Sequence, residues 1–298
     1  MRGRRFQRGQ RGVAAVIGTL LALLVFMTLF GLFLTQFLPI WMTDNEAMLA
    51  NEVAAQLGQV KQCMDLLALY QGNGPRTCSS PVTMQSGGIP IFASPTQGTL
   101  AFETLPQLYT NVTFNDTVIG PSTPMGNLYQ NFSPGEVVMN LPDRYYTPVT
   151  YVVTMGGLFQ DQGGNQQTLL YQPSIEVTPQ GSQVALSMTF YAMYGNSTRL
   201  QSTGTNEIYM TYIGETTYDA GPTAVNVSFS TYYPCAWQSY LGAGLKSLGE
   251  PVQFSPASCP SNVGFNQIYQ MHAYFPPSVD FSLTIVSFSV AMGIGNPT

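Results

Sequence analysis

An uninterrupted apolar segment near the N-terminus is bounded by charge on both sides. Residues 12–43 read GVAAVIGTLLALLVFMTLFGLFLTQFLPIWMT and contain no charged side chain, whereas five arginines stand among the first eleven residues and the next charge is Asp44. An α-helix crosses the hydrocarbon core of a bilayer with roughly 20 apolar residues. The pattern therefore predicts a basic leader over residues 1–12 and a transmembrane helix over residues 13–42.

The charges around this segment also predict its orientation. Arginine and lysine collect on the cytoplasmic side of membrane helices, so the arginine-rich leader is expected in the cytoplasm. Everything after about residue 43 then lies outside the cell. We therefore expect a single-pass protein of the cell membrane with its N-terminus in the cytoplasm and an extracellular C-terminal domain.

Beyond Trp41 the apolar positions thin out and follow a helical period. They recur at steps of three or four residues, as one face of an α-helix requires, at Leu49, Val53, Leu57, Val60, Met64 and Leu67. This spacing predicts an amphipathic extension of the helix over residues 43–70. Pro39 removes one helical hydrogen bond and predicts a kink near the outer membrane interface, where a residue such as Trp41 is expected.

From about residue 71 short alternating runs, broken by Gly, Pro, Asn and Ser, replace the helical period, as in all-β domains. We expect strands at residues 99–105, 136–141, 149–155, 167–171, 183–191, 207–213, 224–232, 266–275 and 281–292, and a short helix at 235–248. The predicted fold class is α+β: a long N-terminal hydrophobic and amphipathic helix followed by a mainly antiparallel β-sandwich or two packed sheets. Residues 71–298 are expected to form one extracellular β-rich domain, since all-β domains of this size are common.

Four cysteines lie on the predicted outer side of the membrane, which favours disulfides. Three connectivities are open, and the local one closes the shortest loops by pairing Cys63 with Cys78 and Cys235 with Cys259. A zinc site is the competing interpretation. It has less support, because no Cys-x-x-Cys pair is present and the lone His272 is not spaced to complete one.

The boundary between leader and helix carries a family resemblance. Gln10-Arg11-Gly12 followed by Val13-Ala14-Ala15-Val16-Ile17-Gly18 resembles the class III signal of type IV pilins, in which a prepilin peptidase cleaves on the cytoplasmic side, before the helix. The run is similar to the Ala-Val-Ser-Pro-Val-Ile-Gly start of archaeal pilin-like proteins, with Ala14 and Ala15 in place of serine and proline. Ile17 occupies the fifth mature position, where bacterial pilins carry glutamate, so the resemblance favours the archaeal group.

This resemblance implies that Arg11, Gly12 and Val13 are processing residues and that the mature chain starts at Val13. It also implies a prepilin peptidase as partner, followed by assembly with other pilin-like subunits or with copies of itself into an extracellular filament. The alternative is an uncleaved signal-anchor. A second, looser likeness covers residues 143–160, where a tyrosine-rich strand precedes a Gly-containing turn and a further strand, as in archaeal pilin-like secreted proteins.

Five Asn-x-Ser/Thr sequons are compatible with N-glycosylation of an exposed surface; they begin at Asn111, Asn115, Asn131, Asn196 and Asn226. Beyond the apolar segment the chain has fifteen acids and five bases, a net charge of about −10. This balance argues against a nucleic-acid partner, because phosphate binding calls for a basic surface. The low charge also predicts tolerance of acid, since little repulsion develops as acids lose their charge.

The sequence offers no catalytic motif: it has no Gly-x-Ser-x-Gly elbow, phosphate-binding loop or dinucleotide fingerprint. We expect no enzyme activity, no cofactor and no metal site. Scattered acids such as Glu136 with Asp143, or Glu215 with Asp219, leave a tethered hydrolase as the least favoured interpretation. His272 is expected to be an ordinary strand residue.

The leading hypothesis is a non-enzymatic pilin-like surface subunit, minor or adhesive. The alternative is a signal-anchored module that binds glycans or surface-layer proteins through tyrosines such as Tyr145, Tyr146, Tyr232 and Tyr233.

Overall fold

The structure is a computed structural model. It describes the backbone at residues 6–69, 76–89, 92–104, 110–115, 135–163, 166–180, 183–222, 224–244, 253–255, 259, 267–275 and 279–293.

One long helix occupies the N-terminal part, as the apolar and amphipathic patterns predict. It comprises α1 (Phe6–Leu32), a π-helical turn (Phe33–Phe37) and α2 (Leu38–Leu69). The N–H of Leu38 donates to the carbonyl of Phe33, five residues back. The π turn immediately precedes Pro39, which lacks the N–H of a normal helical bond. The structure thus accommodates the proline by a local change of helical winding, and the helix continues beyond it.

Fifteen strands are described: β1 (Thr77–Thr83), β2 (Thr99–Thr104), β3 (Thr110–Asn115), β4 (Gly135–Leu141), β5 (Val149–Thr154), β6 (Gly157–Asp161), β7 (Gln167–Tyr171), β8 (Ser174–Gln180), β9 (Gln183–Tyr194), β10 (Thr198–Leu200), β11 (Thr205–Pro222), β12 (Ala224–Thr231), β13 (Gln253–Ser255), β14 (Tyr269–Phe275) and β15 (Val279–Gly293). A short helix, α3 (Pro234–Gly244), follows β12.

The described strands form three sheets. The first has the order β1-β11-β15-β9-β8, the second β10-β2-β4-β5-β6-β7, and the third β13-β14-β12-β3. Neighbouring strands are antiparallel except β15 and β9, which run parallel. Between β5 and β6 the chain turns within two residues, Met155 and Gly156, both with positive φ. This is the backbone signature of a tight hairpin turn.

Two hydrophobic cores lie on opposite faces of shared strands. The helix-side core joins α2, through residues such as Val53 and Leu57, to the first and second sheets. The α3-side core surrounds Trp237 and joins α3 to all three sheets. Because side chains alternate along a strand, β9 places Phe190 in the α3-side core and Tyr191 in the helix-side core.

The predicted fold class is confirmed: a long N-terminal helix precedes mostly antiparallel sheets. The predicted strands did not include β1, β3, β8, β10 and β13, and β6 was expected only from the likeness over residues 143–160. β1 was missed because its sequence, TCSSPVT, is polar and contains Pro81, which is tolerated at a sheet edge. β11 extends to Pro222, well past the predicted end at Ile213, because it pairs with β15 through two register shifts.

The described part of the chain contains one helix that is long and apolar enough, by length and composition, to cross a membrane. Its side chains are exposed from Ala15 to Phe30, and the first buried side chain is that of Leu38. The helix is therefore divided into a bare apolar half and a half that packs on the β-domain.

A candidate functional site at the junction of the helix and the β-domain

A buried carboxylate on α2 binds two segments of the β-domain through hydrogen bonds. The side chain of Glu46 is fully buried. Its Oε2 accepts hydrogen bonds from the backbone N–H groups of Tyr145 and Tyr146, each at 2.7 Å, and its Oε1 accepts one from Arg144 at 3.3 Å. The hydroxyl of Thr96 donates to Oε1 at 2.5 Å. Four donors from two separate segments thus converge on one side chain.

Those hydrogen bonds decide the ionisation of Glu46, which lies beyond the predicted spanning segment. Burial works to raise the pKa of Glu46, whereas the hydrogen bonds from Thr96, Tyr146, Tyr145 and Arg144 favour the charged form. Their combined effect outweighs burial and holds the pKa below its ordinary value. Glu46 is therefore a charged acceptor at neutral pH.

The two segments reach Glu46 for local reasons. Residues 144–146 follow the end of β4, where the chain bends before β5. Thr96 belongs to an arm that we define as Met84–Gly98, which leaves β1 and is closed by the N–H of Gly98 donating to the carbonyl of Met84 at 2.7 Å. Asn45, the neighbour of Glu46, donates from its amide to the carbonyl of Gly87 in the same arm at 3.1 Å. Consecutive helix residues thus bind the arm.

Asp143 lies beside this network with an unusual environment. Its side chain is buried, and neither carboxyl oxygen has a hydrogen-bond partner among the residues that the structure describes. Burial and the nearby Glu46 carboxylate raise the pKa of Asp143 to about 7. Asp143 therefore carries a proton over most of the acidic range, which limits its repulsion of Glu46.

A second polar contact lies four to five turns further along α2. Lys61 is buried, and its Nζ lies 2.5 Å from Asp65 Oδ1. The Tyr191 hydroxyl of β9 donates to the same carboxylate at 2.5 Å, and the Lys61 ammonium lies 5.4 Å from the centre of the Tyr191 ring. The buried charge of Lys61 is therefore paired and covered by an aromatic face.

Between these two levels the helix contacts β1 and β7 closely. The side-chain oxygen of Gln56 accepts from the N–H of Thr83 at 2.8 Å, and the hydroxyl of Ser80 donates to the Gln56 carbonyl at 3.2 Å. At Gly58 an added Cβ would lie within 2.7 Å of ring atoms of Tyr171. A larger side chain at Gly58 would therefore displace the Tyr171 ring from the helix.

The structure contains both local disulfides. Cys63 on α2 pairs with Cys78 on β1, and Cys235 on α3 pairs with Cys259. The first bond ties the distal end of the helix to the edge strand of the first sheet. Together with Glu46, Gln56 and Lys61, it fixes α2 to the β-domain along its length.

The predicted processing residues lie within α1, where the structure describes the backbone only. Of the sequon asparagines, Asn196 is exposed in the connection from β9 to β10. Asn111 and Asn115 lie on β3 and Asn226 lies on β12, again with the backbone alone described. Asn131 lies outside the described residues.

The acid pairs that the sequence offered do not come together. Glu136 begins β4 and Asp143 follows its end, which at about 3.3 Å per residue separates them by roughly 20 Å. Glu215 and Asp219 stand four residues apart on β11, roughly 13 Å along the strand. Glycosidase carboxyl pairs are closer, at about 5 to 10 Å.

His272 forms a cross-strand pair. Its Nδ1 lies 2.7 Å from the hydroxyl of Ser228, its register partner on β12. Both side chains are half-buried and point away from the α3-side core, which receives the alternate residues Val227 and Met271. Within the described residues no carboxylate contacts this pair, and no group of three metal-ligating side chains is present. The contact joins two strands on an outer sheet face.

The tyrosines that the sequence suggested as stacking platforms differ in exposure. Tyr145 is exposed, whereas Tyr233 is buried and stacks on Phe159 with 5.1 Å between the ring centres. A separate cavity of about 500 Å³ lies between β7 and α3, and it is lined by Gln167, Thr168, Leu169, Gln172, Ala236, Ser239 and Tyr240. None of these lining residues is charged, and they combine hydroxyl and amide groups with apolar surface.

Comparisons of this chain with protein-family models, with curated proteins and with solved structures found no match.

Proposed function

We propose that this protein is a pilin-like surface subunit of the archaeal type, anchored in the membrane by its N-terminal helix and able to assemble through it. The observation that carries the proposal is the division of one continuous helix. Its first half presents bare apolar side chains, and its second half is fixed to a β-domain by Glu46, Gln56, Lys61 and the Cys63–Cys78 disulfide. A rigid head on an apolar stalk is the shape that a helix-packed filament requires.

The exposed face of α2 supports assembly as well. This face carries mostly uncharged residues, namely Met48, Asn51, Ala55, Gln59, Gln62 and Leu66, and its exposed charges are Asp44 and Glu52. A second helix can approach such a face closely without burying several charges. In this proposal the helices of neighbouring subunits pack here and along residues 13–32.

Processing after Gly12 is the first prediction. A prepilin peptidase would remove the basic leader and leave the apolar helix on the mature chain. We expect mass spectrometry of the protein from its native membrane or cell surface to give an N-terminus at Val13. In cells that contain an archaeal prepilin peptidase, Gly12→Leu should block the cut.

The matched control for this prediction is Gly9→Leu, which changes another leader glycine by the same volume. It should leave the N-terminus at Val13. A wild-type chain that starts at or near Met1 would contradict pilin-like processing and favour an ordinary signal-anchor.

The cavity between β7 and α3 favours a second candidate function, an anchored module that binds glycans. Hydroxyl and amide groups with an adjacent Tyr240 suit a sugar ring better than a charged ligand. Glycan-array binding by the detergent-solubilised full chain, lost in Gln172→Ala, would support this candidate.

A further inference from the structure

The arm Met84–Gly98 runs along the helix in the direction of the leader. It is bound to the helix at Asn45 and Glu46 through Gly87 and Thr96. At its far end the N–H of Ala93 donates to the carbonyl of Ile89 at 3.0 Å, and the N–H of Phe92 donates to the same carbonyl at 3.1 Å. The described residues on either side of 90–91 are therefore held together at this end of the arm.

The tip of the arm touches the apolar half of the helix. The ring of Phe92 lies 6.0 Å from the rings of Phe30 and Phe33, in tilted and edge-to-face arrangements. These are favourable geometries for aromatic pairs. From Asn45 to this contact the helix rises about 1.5 Å per residue, so the arm extends roughly 20 Å towards the leader.

The height of the contact agrees with the outer boundary of a membrane. Twenty helical residues span the roughly 30 Å hydrocarbon core, and twenty residues counted from Val13 end at Leu32. The Phe92 ring therefore lies level with the end of the shortest helix that can span the core. A span that continued to Pro39 and Trp41, as the sequence predicts, would place the ring inside the outer leaflet. Leu29 and Leu32, at the same height, are more than half exposed, so whatever surrounds the helix there also surrounds the arm.

The composition of the arm suits a lipid surface. None of its fifteen residues is charged, and its tip reads IPIF. Phe92 keeps 42% of its surface exposed although it is aromatic and packs on the helix. Aromatic side chains concentrate at the membrane interface, where a ring can lie among the headgroups.

We propose that the arm is a second membrane contact, in which Phe92 inserts into the outer leaflet beside the spanning helix. The helix and the arm would then meet the bilayer at two points. Two contacts fix the tilt of the β-domain over the membrane, which a single helix leaves free. This inference requires the helix to lie in a bilayer, and it does not depend on cleavage after Gly12.

The test uses the full chain in liposomes. All four native cysteines are paired, so a cysteine introduced as Phe92→Cys is the site that a thiol-reactive fluorophore labels. We expect lipids with a spin label on the upper acyl chain to quench this fluorophore and to shift its emission to the blue.

Ile213→Cys is the matched control. Ile213 is a large apolar residue with 58% of its surface exposed. It adjoins Tyr212, whose N–H donates to the Arg76 carbonyl near the distal end of α2. The same lipids should leave the fluorophore at 213 unquenched.

Three results would overturn the proposal. The first is a fluorophore at position 92 that stays unquenched although the junction is intact. Hydrogen exchange at Tyr145 and Tyr146 at the wild-type rate would show that the junction is intact. The second is quenching at both positions, because the whole β-domain would then lie on lipid. The third is an unquenched position 92 that forms cross-links between copies, because the occupant of this surface would then be a second chain.

Discussion

Glu46→Ala is expected to lower the free energy of unfolding by at least about 4 kcal/mol, since four donors lose a charged acceptor and each loss costs about 1 kcal/mol or more. The carboxylate accepts from Thr96, Arg144, Tyr145 and Tyr146. Hydrogen exchange in detergent micelles measures the effect directly. The amides of Tyr145 and Tyr146, which bond to Glu46, should exchange much faster in the variant.

Glu52→Ala is the control for this prediction. Glu52 lies on the same helix and accepts from Gln56 and Thr83, but it is exposed. Its loss should cost less than about 1 kcal/mol, and exchange at Tyr145 and Tyr146 should stay at the wild-type rate. If the two variants lowered the free energy of unfolding equally, burial of the Glu46 carboxylate would add nothing to the effect of its hydrogen bonds.

Acid should weaken the same contact. The folded-state pKa of Glu46 lies below its ordinary value, so the stabilisation is present above the unfolded-state pKa and is lost as pH falls through the folded-state pKa. Glu46→Gln mimics the protonated side chain in shape. Its stability should therefore show less dependence on pH than the wild type below about pH 4.5.

The helix and most of the strands could be predicted from the sequence because their signals are local. The stretch without charge from Gly12 to Thr43, the spacing from Leu49 to Leu67 and the alternation in β15 each depend on near neighbours. The fold class follows from them. The division of β9 and β15 between two cores does not follow from these local signals, because it depends on which sheet covers each face of the strands.

The junction could not be predicted for the same physical reason. Glu46 continues the three- and four-residue spacing of the buried face back from Leu49, whereas Glu52 lies off it. The spacing therefore marks a buried acid but does not show which groups bind it. Its donors are 50 residues away at Thr96 and about 100 residues away at Tyr145 and Tyr146. The arm gave a weak signal, since the run IPIF between glycines and prolines is unusually apolar for a surface loop.

Glu136 shows how a tertiary environment reverses an expectation from sequence. An acid in a surface strand is usually exposed, yet Glu136 is buried, and its Oε2 has no hydrogen-bond partner among the described residues. Its cross-strand neighbour on β2 is Glu103. Burial, and then the charge of Glu103, raise the pKa of Glu136 to about 8.

This raised pKa predicts that the protein loses stability as pH rises. The unfolded chain releases the proton of Glu136 near pH 4.5, whereas the folded chain keeps it to about pH 8. Between these values the folded state binds more protons, so the free energy of unfolding falls with increasing pH. Each pKa unit corresponds to about 1.4 kcal/mol, and Asp143, with its pKa raised to about 7, acts in the same direction.

Glu136→Gln should therefore raise the melting temperature at pH 8 and leave it nearly unchanged at pH 4.5, because glutamine resembles the protonated acid. Thermal unfolding of the full chain in micelles at both pH values measures the difference. Because the raised pKa of Asp143 remains in this variant, the melting temperature should still fall with increasing pH, but less steeply than in the wild type. Glu103→Gln, which removes the partly exposed neighbour and its ion pair with Arg199, should give a much smaller gain at pH 8. A wild-type chain whose melting temperature is flat from pH 4.5 to pH 8 would show that Glu136 is ionised and solvated in the folded protein.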